Sequence, residues 1–519
     1  MSTVSSLNAS LSSNLLPALN APGKSAALAD VTSADIDAAS PSTIVTIPSA
    51  VAESPIVYTP QGALLGLEPT TTWAQSNNTD AVSLAMAGNY TANTISGQFY
   101  NLGSTLLNRF KTTGSDFSQS VTLGSTGAAG AASAIGASST PQGDARLTVK
   151  TASGVTVVIE MDSGNGTLGV SVNSSGKLSD TERSALAKLA DGFQKAINGL
   201  SASPPTVDLS GLTQFDTSVL SSVNLQFNVT GSGQQDISAS FSQNSSARSF
   251  SVTDSLGTMN VKVDTSNAAL LGSGAQHDQA IASYLAQFDN ASARGHGNAQ
   301  LMSMFKDAFT QLNSNEGTPT QQLPGTAYAP WLAQSDQSML TGLADFSASI
   351  TDTPVSSNPY RLSEQDTFSY QVSQTTSTQG NQFDSRISQM QQSHLQASYH
   401  LALSGGGAPT LDATLASQNY DYMRIDDSAS SAVNIATKQG KLLAATLDQS
   451  SSQSTRQSEY VKGVLTSDVT TPTETSNSKD LLALLKPFLE NDQAAQNSDG
   501  WQNALSSIHG MIFLNANAA

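Results

Sequence analysis

"EMDSGNGTLGVSV", residues 160–172, is the stretch whose reading decides the fold. Within it, Gly164-Asn165-Gly166-Thr167-Leu168-Gly169 matches G-x-G-x-x-G, the fingerprint of a dinucleotide-binding loop. In such a loop the first glycine turns the chain tightly after a strand. The third opens a helix whose N-terminus holds the pyrophosphate. Here the residues after Gly169 read "VSVNSSG", a β-like pattern, and the next helix start is Ser179. The acidic residue that should end a second strand about 20 residues on has only Asp180 and Glu182 as candidates, and both sit in a helix cap. The glycines therefore fit a β-hairpin turn, where glycine takes positive φ without a Cβ penalty. No cofactor is assigned to them.

Working outward, "ARLTVKTASG" (145–154) and "VTVVIEMDSG" (155–164) read as two strands joined by a Ser-Gly turn, with "TLGVSVNSSG" (167–176) as a third. Ser179-Asp180-Thr181-Glu182 has the S-x-x-E form of a capping box. Leu186, Leu189, Phe193 and Ile197 then form one helical stripe that Gly199 can stop. Residues 222–264 read as a four-strand antiparallel meander, with Val223, Leu225, Phe227 and Val229 alternating in its first strand. Two helices follow, lined by Ile281, Tyr284, Leu285 and Phe288, and by Leu301, Met304, Phe305, Ala308 and Leu312. Upstream, Ile95, Leu102 and Leu106 place a helix in "TANTISGQFYNLGSTLLNRF". In the last third Phe368, Tyr370 and Val372 alternate, as do Val433 and Ile435. Leu395, Ala397, Tyr399, Leu401 and Leu403 alternate strictly, which predicts a strand with one buried face. "KDLLALLKPFLE", broken by Pro487, and "WQNALSSIHGMIFL" read as closing helices.

Strands followed by helices, without regular β-α-β alternation, predict an α+β chain. The expected architecture is antiparallel β-meanders each followed by amphipathic helices, and not a Rossmann fold. The expected divisions are a disordered segment at 1–65, a helical segment at 70–123 and a small-residue linker at 124–143. An α+β domain at 144–315 follows, then a linker with a short helix at 316–363 and a long-stranded β-meander with C-terminal helices at 364–519.

The composition bounds the partners. The chain has 519 residues, 12% charged, with a formal net charge of −18 and a pI near 4.5. An acidic chain with scattered Lys and Arg is repelled by phosphate backbones and by anionic membranes, so nucleic acid is not an expected partner. There are no cysteines, which excludes disulfides and thiolate chemistry. No stretch approaches the roughly 20 apolar residues of a membrane span. The first residues carry no positive charge before Lys24 and lack the apolar run of a Sec signal peptide. Their Ser/Asn/Leu-rich composition is similar to the starts of flagellar and type III export substrates; a plain disordered tail reads the same way. Cytoplasmic residence and signal-peptide-independent export both remain open.

Further motifs are sparse. Gly23-Lys24-Ser25 echoes the end of a P-loop, but Ala18 stands where its first Gly belongs. There is no G-x-S-x-G elbow and no H-E-x-x-H. Only His394 and His400 lie close in sequence; on a strand they would be roughly 20 Å apart, too far to share a metal. The densest polar cluster is "NYDYMRIDDS", with Tyr420, Asp421, Tyr422, Arg424, Asp426 and Asp427. These residues could form a glycan-binding or acid–base surface if Asp421 found a second carboxylate. The alternative is an exposed strand whose Arg424 pairs with a carboxylate on a neighbouring strand, with Arg386 and Arg456 suited to the same cross-strand role.

Three phrases, "TERSALAKLADGFQKAINGL", "DLSGLTQFDTSVLSSVNL" and "IASYLAQFDNASARG", carry a resemblance. Across roughly residues 70–315 the chain is similar to uncharacterised proteins of Gram-negative bacteria that are often labelled lactate dehydrogenase. That label implies a Rossmann domain, a histidine held by an aspartate and an arginine that clamps the substrate carboxylate. The sequence shows no parallel βαβ order and no His–Asp–Arg set in matching context, so no catalytic residue is carried over. The leading expectation is a non-enzymatic protein, exported or cell-surface associated, that meets a protein or glycan partner by surface contact. The alternatives are an enzyme, either the labelled dehydrogenase or a carbohydrate-active one, and an intracellular binding or assembly protein.

Overall fold

The computed structural model describes residues 70–76, 79–124, 142–231, 236–266, 270–314, 332–381, 383–403, 407–489 and 498–514. All belong to one unit, Leu67–Ala519; the chain's other unit, Met1–Gly66, lies outside the described residues. So do the expected disordered segment 1–65 and most of the small-residue linker.

The deciding stretch is a hairpin. β4 (Thr156–Gly164) ends where β5 (Thr167–Ser174) begins two residues later. The loop is Asn165-Gly166, with φ of 51° and 74°. Positive φ at both central residues is the type I′ turn, whose twist matches that of the flanking strands. Gly169 lies inside β5 opposite Asp162, and a Cβ there would sit 2.5 Å from that carboxylate. Its glycine thus serves a close cross-strand approach. The next helix, α4 (Asp180–Lys188), starts at the capping box of Ser179 and Glu182. Ser153 also donates to Glu182, and these bonds hold its carboxyl at about 2.

Before this hairpin come β1 (Thr70–Trp73), α1 (Ala81–Asn89), α2 (Ile95–Gln98), α3 (Leu102–Thr113), β2 (Phe117–Gly124) and β3 (Gln142–Thr151). After α4 come α5 (Ala190–Leu200), the meander β6 (Leu220–Thr230), β7 (Ile237–Asn244), β8 (Ala247–Asp254) and β9 (Gly257–Asp264), then α6 (Gly274–Gly295) and α7 (Ala299–Ser314). The last part holds α8 (Gln334–Ser338), β10 (Asp345–Asp352), β11 (Thr367–Gly380), β12 (Ser385–Ala402), β13 (Tyr420–Lys438), β14 (Lys441–Val461), β15 (Val464–Asp480), α9 (Leu481–Leu489) and α10 (Asp499–Met511).

The fifteen strands among the described residues join one sheet in the order β1-β2-β5-β4-β3-β6-β7-β8-β9-β10-β11-β12-β13-β14-β15, and every pairing between them is antiparallel. The sheet therefore runs without a break through the segments expected as separate domains. One row of opposed residues shows why the faces stay distinct. It passes through Phe117, Val172, Ile159, Leu147, Leu225, Phe241, Phe250, Val261, Ala348, Val372, Ser393, Ala429 and Ser451. A side-chain period of two keeps all of these on one face, and the helices cover that face. From Phe117 to Val372 the row is apolar; from β12 onward it turns partly polar.

Four expectations are corrected. The helix expected across 95–106 is two helices, separated by Asn101 in the left-handed conformation (φ 56°). Pro487 does not break α9, which runs on to Leu489; it lies so near the end that little of the helical ladder is forfeited. Gly199 does not stop α5; its hydrogen atoms instead let Thr206 O approach a site where a Cβ would lie 2.8 Å away. The single buried face expected along Leu395–Leu403 changes side part-way. Leu395 and Ala397 are buried, Leu403 is 41% exposed, and His400 is buried from the opposite face. β15 is not legible in the sequence, because it is exposed on both faces and shows no apolar alternation; β10, whose Phe346, Ala348 and Ile350 do alternate, is an added strand.

Gly192 on α5 approaches the backbone of Gly211 so closely that a Cβ would lie 2.4 Å from the Gly211 carbonyl carbon. Gly192→Ala should lower unfolding free energy by about 2 kcal/mol through overpacking against main chain. Urea unfolding checks this, with Gly88→Ala as the control, since nothing lies within 4 Å of its added Cβ.

Candidate functional site

The cluster at 420–427 lies on β13, and strand alternation divides it. Tyr420, Tyr422, Arg424 and Asp426 share the face away from the helices. Asp421 and Asp427 share the helix-covered face with Ile425. The six residues thus do not form one surface; they contribute to two separate environments.

On the face away from the helices, Tyr420, Tyr422 and Tyr460 form a small apolar cluster with Leu411 packed against it. Segments 353–366 and 407–419 lie over it. Asn358 Nδ2 donates to Tyr420 Oη (3.0 Å) and to Gln418 Oε1 (2.9 Å), and Gln418 Nε2 returns a bond to Asn358 Oδ1 (3.0 Å). Tyr420 Oη donates to Glu364 Oε2 (2.6 Å). Burial first, and then this bond to Glu364, push the Tyr420 phenol well above its ordinary value. His400, with its side chain 1% exposed, holds Asp366 at 2.6 Å through Nδ1 and lies 3.4 Å from Glu364 through Nε2. Arg361 stacks over the Tyr460 ring at 4.4 Å and donates to Gly463 O at 2.7 Å. A His–Asp pair and an arginine therefore do occur in one cluster, and of the three only His400 stands out in the sequence, by its closeness to His394. Their packing is that of a buried latch joining loop to sheet.

The exposed residues of the same face make cross-strand contacts. His394 Nε2 meets Asp426 Oδ1 at 2.9 Å, while His400 is bound to Asp366, so the two histidines serve different carboxylates. Arg424 lies opposite Arg456 and places its guanidinium 5.3 Å from the Tyr422 ring. The carboxylate partner belongs to Arg456 instead, through Asp468 on β15. That pairing, with Ser458, holds the Asp468 carboxyl at about 2. Arg386 lies opposite Gln379 and Ala436.

On the covered face, Asp427 receives Arg294 from the last turn of α6. Nε donates to Oδ2 and Nη2 to Oδ1 at 3.1 Å, while Nη2 also donates to Thr455 Oγ1 at 2.9 Å. The bond to Asp427 raises the Arg294 pKa further. Ser454 N adds a third donor to Asp427. This pair borders a cleft of about 200 Å³ that Gln287, Asn290, Ser393 and Gln453 also line. Gln287 Oε1 is buried there without a hydrogen-bond partner. The two charges neutralise each other, so the cleft offers hydrogen bonds to a small uncharged polar group rather than acid–base chemistry. Asp421 stands directly across from Glu459 on β14, which supplies a second carboxylate opposite it. Among the described residues no group of three or more His, Asp or Glu side chains could hold a metal ion, and no helix is long and apolar enough to cross a membrane.

Compared with known proteins, the chain matches no family model, no curated protein and no solved structure.

Nothing near Arg294 in the sequence points to Asp427, because the contact joins a helix end to a strand far along the chain. Asp366 and Glu364 lie in a loop, and no local pattern ties them to His400. His400 itself falls in phase with Gln396 and Ser398, at the polar positions of the alternation, so the local pattern does not mark it as buried.

Removing Arg294 leaves a carboxylate that is 9% exposed without its cation. A fully buried pair broken this way loses about 3–5 kcal/mol. With the Arg294 side chain 32% exposed, Arg294→Ala should cost about 2 kcal/mol by chemical denaturation. Arg456→Ala, on the exposed pair, should leave the midpoint unchanged.

Proposed function

We propose that this chain is a non-enzymatic bacterial protein, exported or associated with the cell surface, that acts by surface contact through the uncovered face of its sheet. One observation carries the reading. On that face short hydroxyl and amide side chains bond to each other across neighbouring strands. Examples are Ser242 to Asn224 (2.6 Å), Ser238 to Asn228 (2.7 Å), Ser240 with Ser251 (2.9 Å), Ser388 to Asn434 (2.8 Å) and Ser430 with Ser450 (2.8 Å). Thr351 with Ser369 and Thr367 with Ser398 continue the pattern.

A face built this way is polar, with hydroxyls and amides between a few long charged side chains such as Arg146, Lys262 and Arg386, and its cross-strand bonds are in place before any partner arrives. Short side chains lose little rotamer entropy on contact, and preorganised groups reduce the cost of association. A polar protein or glycan surface suits it; a phosphate backbone does not, given the net charge of −18. The likeness of its phrases to proteins of Gram-negative bacteria supports the bacterial setting, and the uncharged Ser/Asn/Leu-rich start supports export. The Asp421–Glu459 opposition favours a second reading, a carbohydrate-active protein, and Asp421→Asn separates the two.

Native protein should fractionate with the exported or surface material and bring a partner identifiable by mass spectrometry. Ser240→Arg combined with Ser430→Arg should reduce that co-purification at least about tenfold while changing stability by less than about 0.5 kcal/mol. Undiminished capture by the double variant contradicts the contact surface, and residence in the cytosol alone removes export. Saturable NAD(H) binding with lactate turnover, or glycan hydrolysis lost in Asp421→Asn, contradicts the non-enzymatic reading.

A further inference from the structure

We propose that the C-terminal helix α10, together with residues 512–514, is a proton-released plug on the covered face of the sheet. The helix lays Trp501, Leu505, Ile508 and Ile512 into a second apolar cluster, separate from the main core and including Ile387, Val433 and Leu447 of the sheet. Phe513 and Leu514 insert into the main core.

Hydrogen bonds to its backbone supplement this apolar grip. Gln391 Nε2 and Ser431 Oγ both donate to Ile512 O, at 2.9 and 2.7 Å. Gln449 Nε2 donates to Met511 O at 3.0 Å and to Phe513 O at 2.9 Å. Three uncharged side chains from three strands thus receive a backbone segment as they would a bound peptide. If the segment leaves, water can satisfy each of them, so departure leaves the strand ladder intact.

The trigger sits in the same interface. His509, 3% exposed, lies edge-on to Phe513 with ring centroids 5.1 Å apart. Its ring faces the carbonyls of Gln276 on α6 and of Ser338 and Leu340 at the end of α8, and burial lowers its pKa below the ordinary 6.5. His277 on α6, beside Gly342 and Asp278, is lowered by burial in the same way. The charged and titratable groups on the packed helices are His277, Asp278, Tyr284, Asp289 and Arg294 on α6, Asp336 on α8 and Lys486 on α9, with Asp499 on α10 itself. The strand side chains that reach the plug are the uncharged Gln391, Ser431 and Gln449.

The direction follows from linkage. Above 6.5 both docked and released forms of the histidines are neutral, and docking is at full strength. Between 6.5 and the lower docked value the released form takes up a proton that the docked form refuses, so docking weakens as pH falls. Asp336 acts in the opposite sense. Burial raises its pKa from 3.8, so acid removes a buried charge and favours the docked form, at pH values closer to its own range. Proton uptake by the released histidines thus favours release as pH falls below 6.5.

Trp501, 4% exposed and 5.9 Å from the Phe488 ring, reports docking. The full chain carrying Trp73→Phe and Trp331→Phe keeps it as the one tryptophan. Between about pH 7.5 and about pH 5, its emission should shift reversibly to the red and become open to acrylamide quenching. The far-UV β signal should persist. Adding His509→Phe should hold the emission unshifted at the acid end; if the phenyl ring does not dock at neutral pH, His509→Gln is read in its place. An unshifted parent protein, a His509 variant that shifts as the parent does, or loss of the β signal together with the shift overturns the proposal.

Discussion

A buried amide in a strand must find a partner, and that constraint organises the half of the sheet from β10 onward. Gln374, Gln391, Ser431 and Gln449 oppose one another in a single row across β11 to β14 on the covered face. Gln374, Gln391 and Ser431 are essentially inaccessible. Left unpaired, each would cost on the order of 1–3 kcal/mol. Each instead binds something that is not part of the sheet. Gln374 donates to the carbonyls of Leu343 and Ala344 and accepts from Thr341. Gln391 accepts from Tyr284 of α6 at 3.0 Å and holds Ile512. The row thereby fixes the approach to β10, the seat of α6 and the C-terminal segment.

The same row marks a change in how the covering layer is held. From β2 to β11 the covered face is filled by apolar side chains, including the aromatic group of Tyr284, Phe288, Phe309 and Phe346. Such contacts release only when a large apolar area is re-exposed. Beyond β11, polar side chains share the work through hydrogen bonds and the Arg294–Asp427 pair. Those bonds exchange with water at small net cost. The apolar part holds α6 and α7, and the part with more polar contacts holds α10 and residues 512–514.

Much of the fold is legible in the sequence wherever alternation or capping is strong. The Asn165-Gly166 turn, the Ser179–Glu182 box, the meander from 222 to 264 and the two helices after it follow from local pattern alone. β15 does not, because Ser and Thr exposed on both sides leave no period to read, and its strand form comes from pairing with β14. The candidate cluster fares likewise. The sequence shows Tyr420 to Asp427 as one polar run, but it contains no information on which neighbour covers which face. Helices end over the upper part of β12 and β13, loops take over the opposite face, and that handover separates Tyr420 and Tyr422 from Asp427. His400 stands at an ordinary polar position of the alternation, and only its distant partners Asp366 and Glu364 account for its burial.

The claim that the buried amide row holds the covering segments is tested most directly by amide hydrogen exchange in Gln391→Leu at neutral pH. Loss of the Gln391 amide removes bonds to Ile512 and Leu514 but leaves the strand ladder in place. The account predicts a strong rise in exchange at residues 505–514, with β6 to β9 protected as in the parent. Unchanged protection at 505–514 would contradict it.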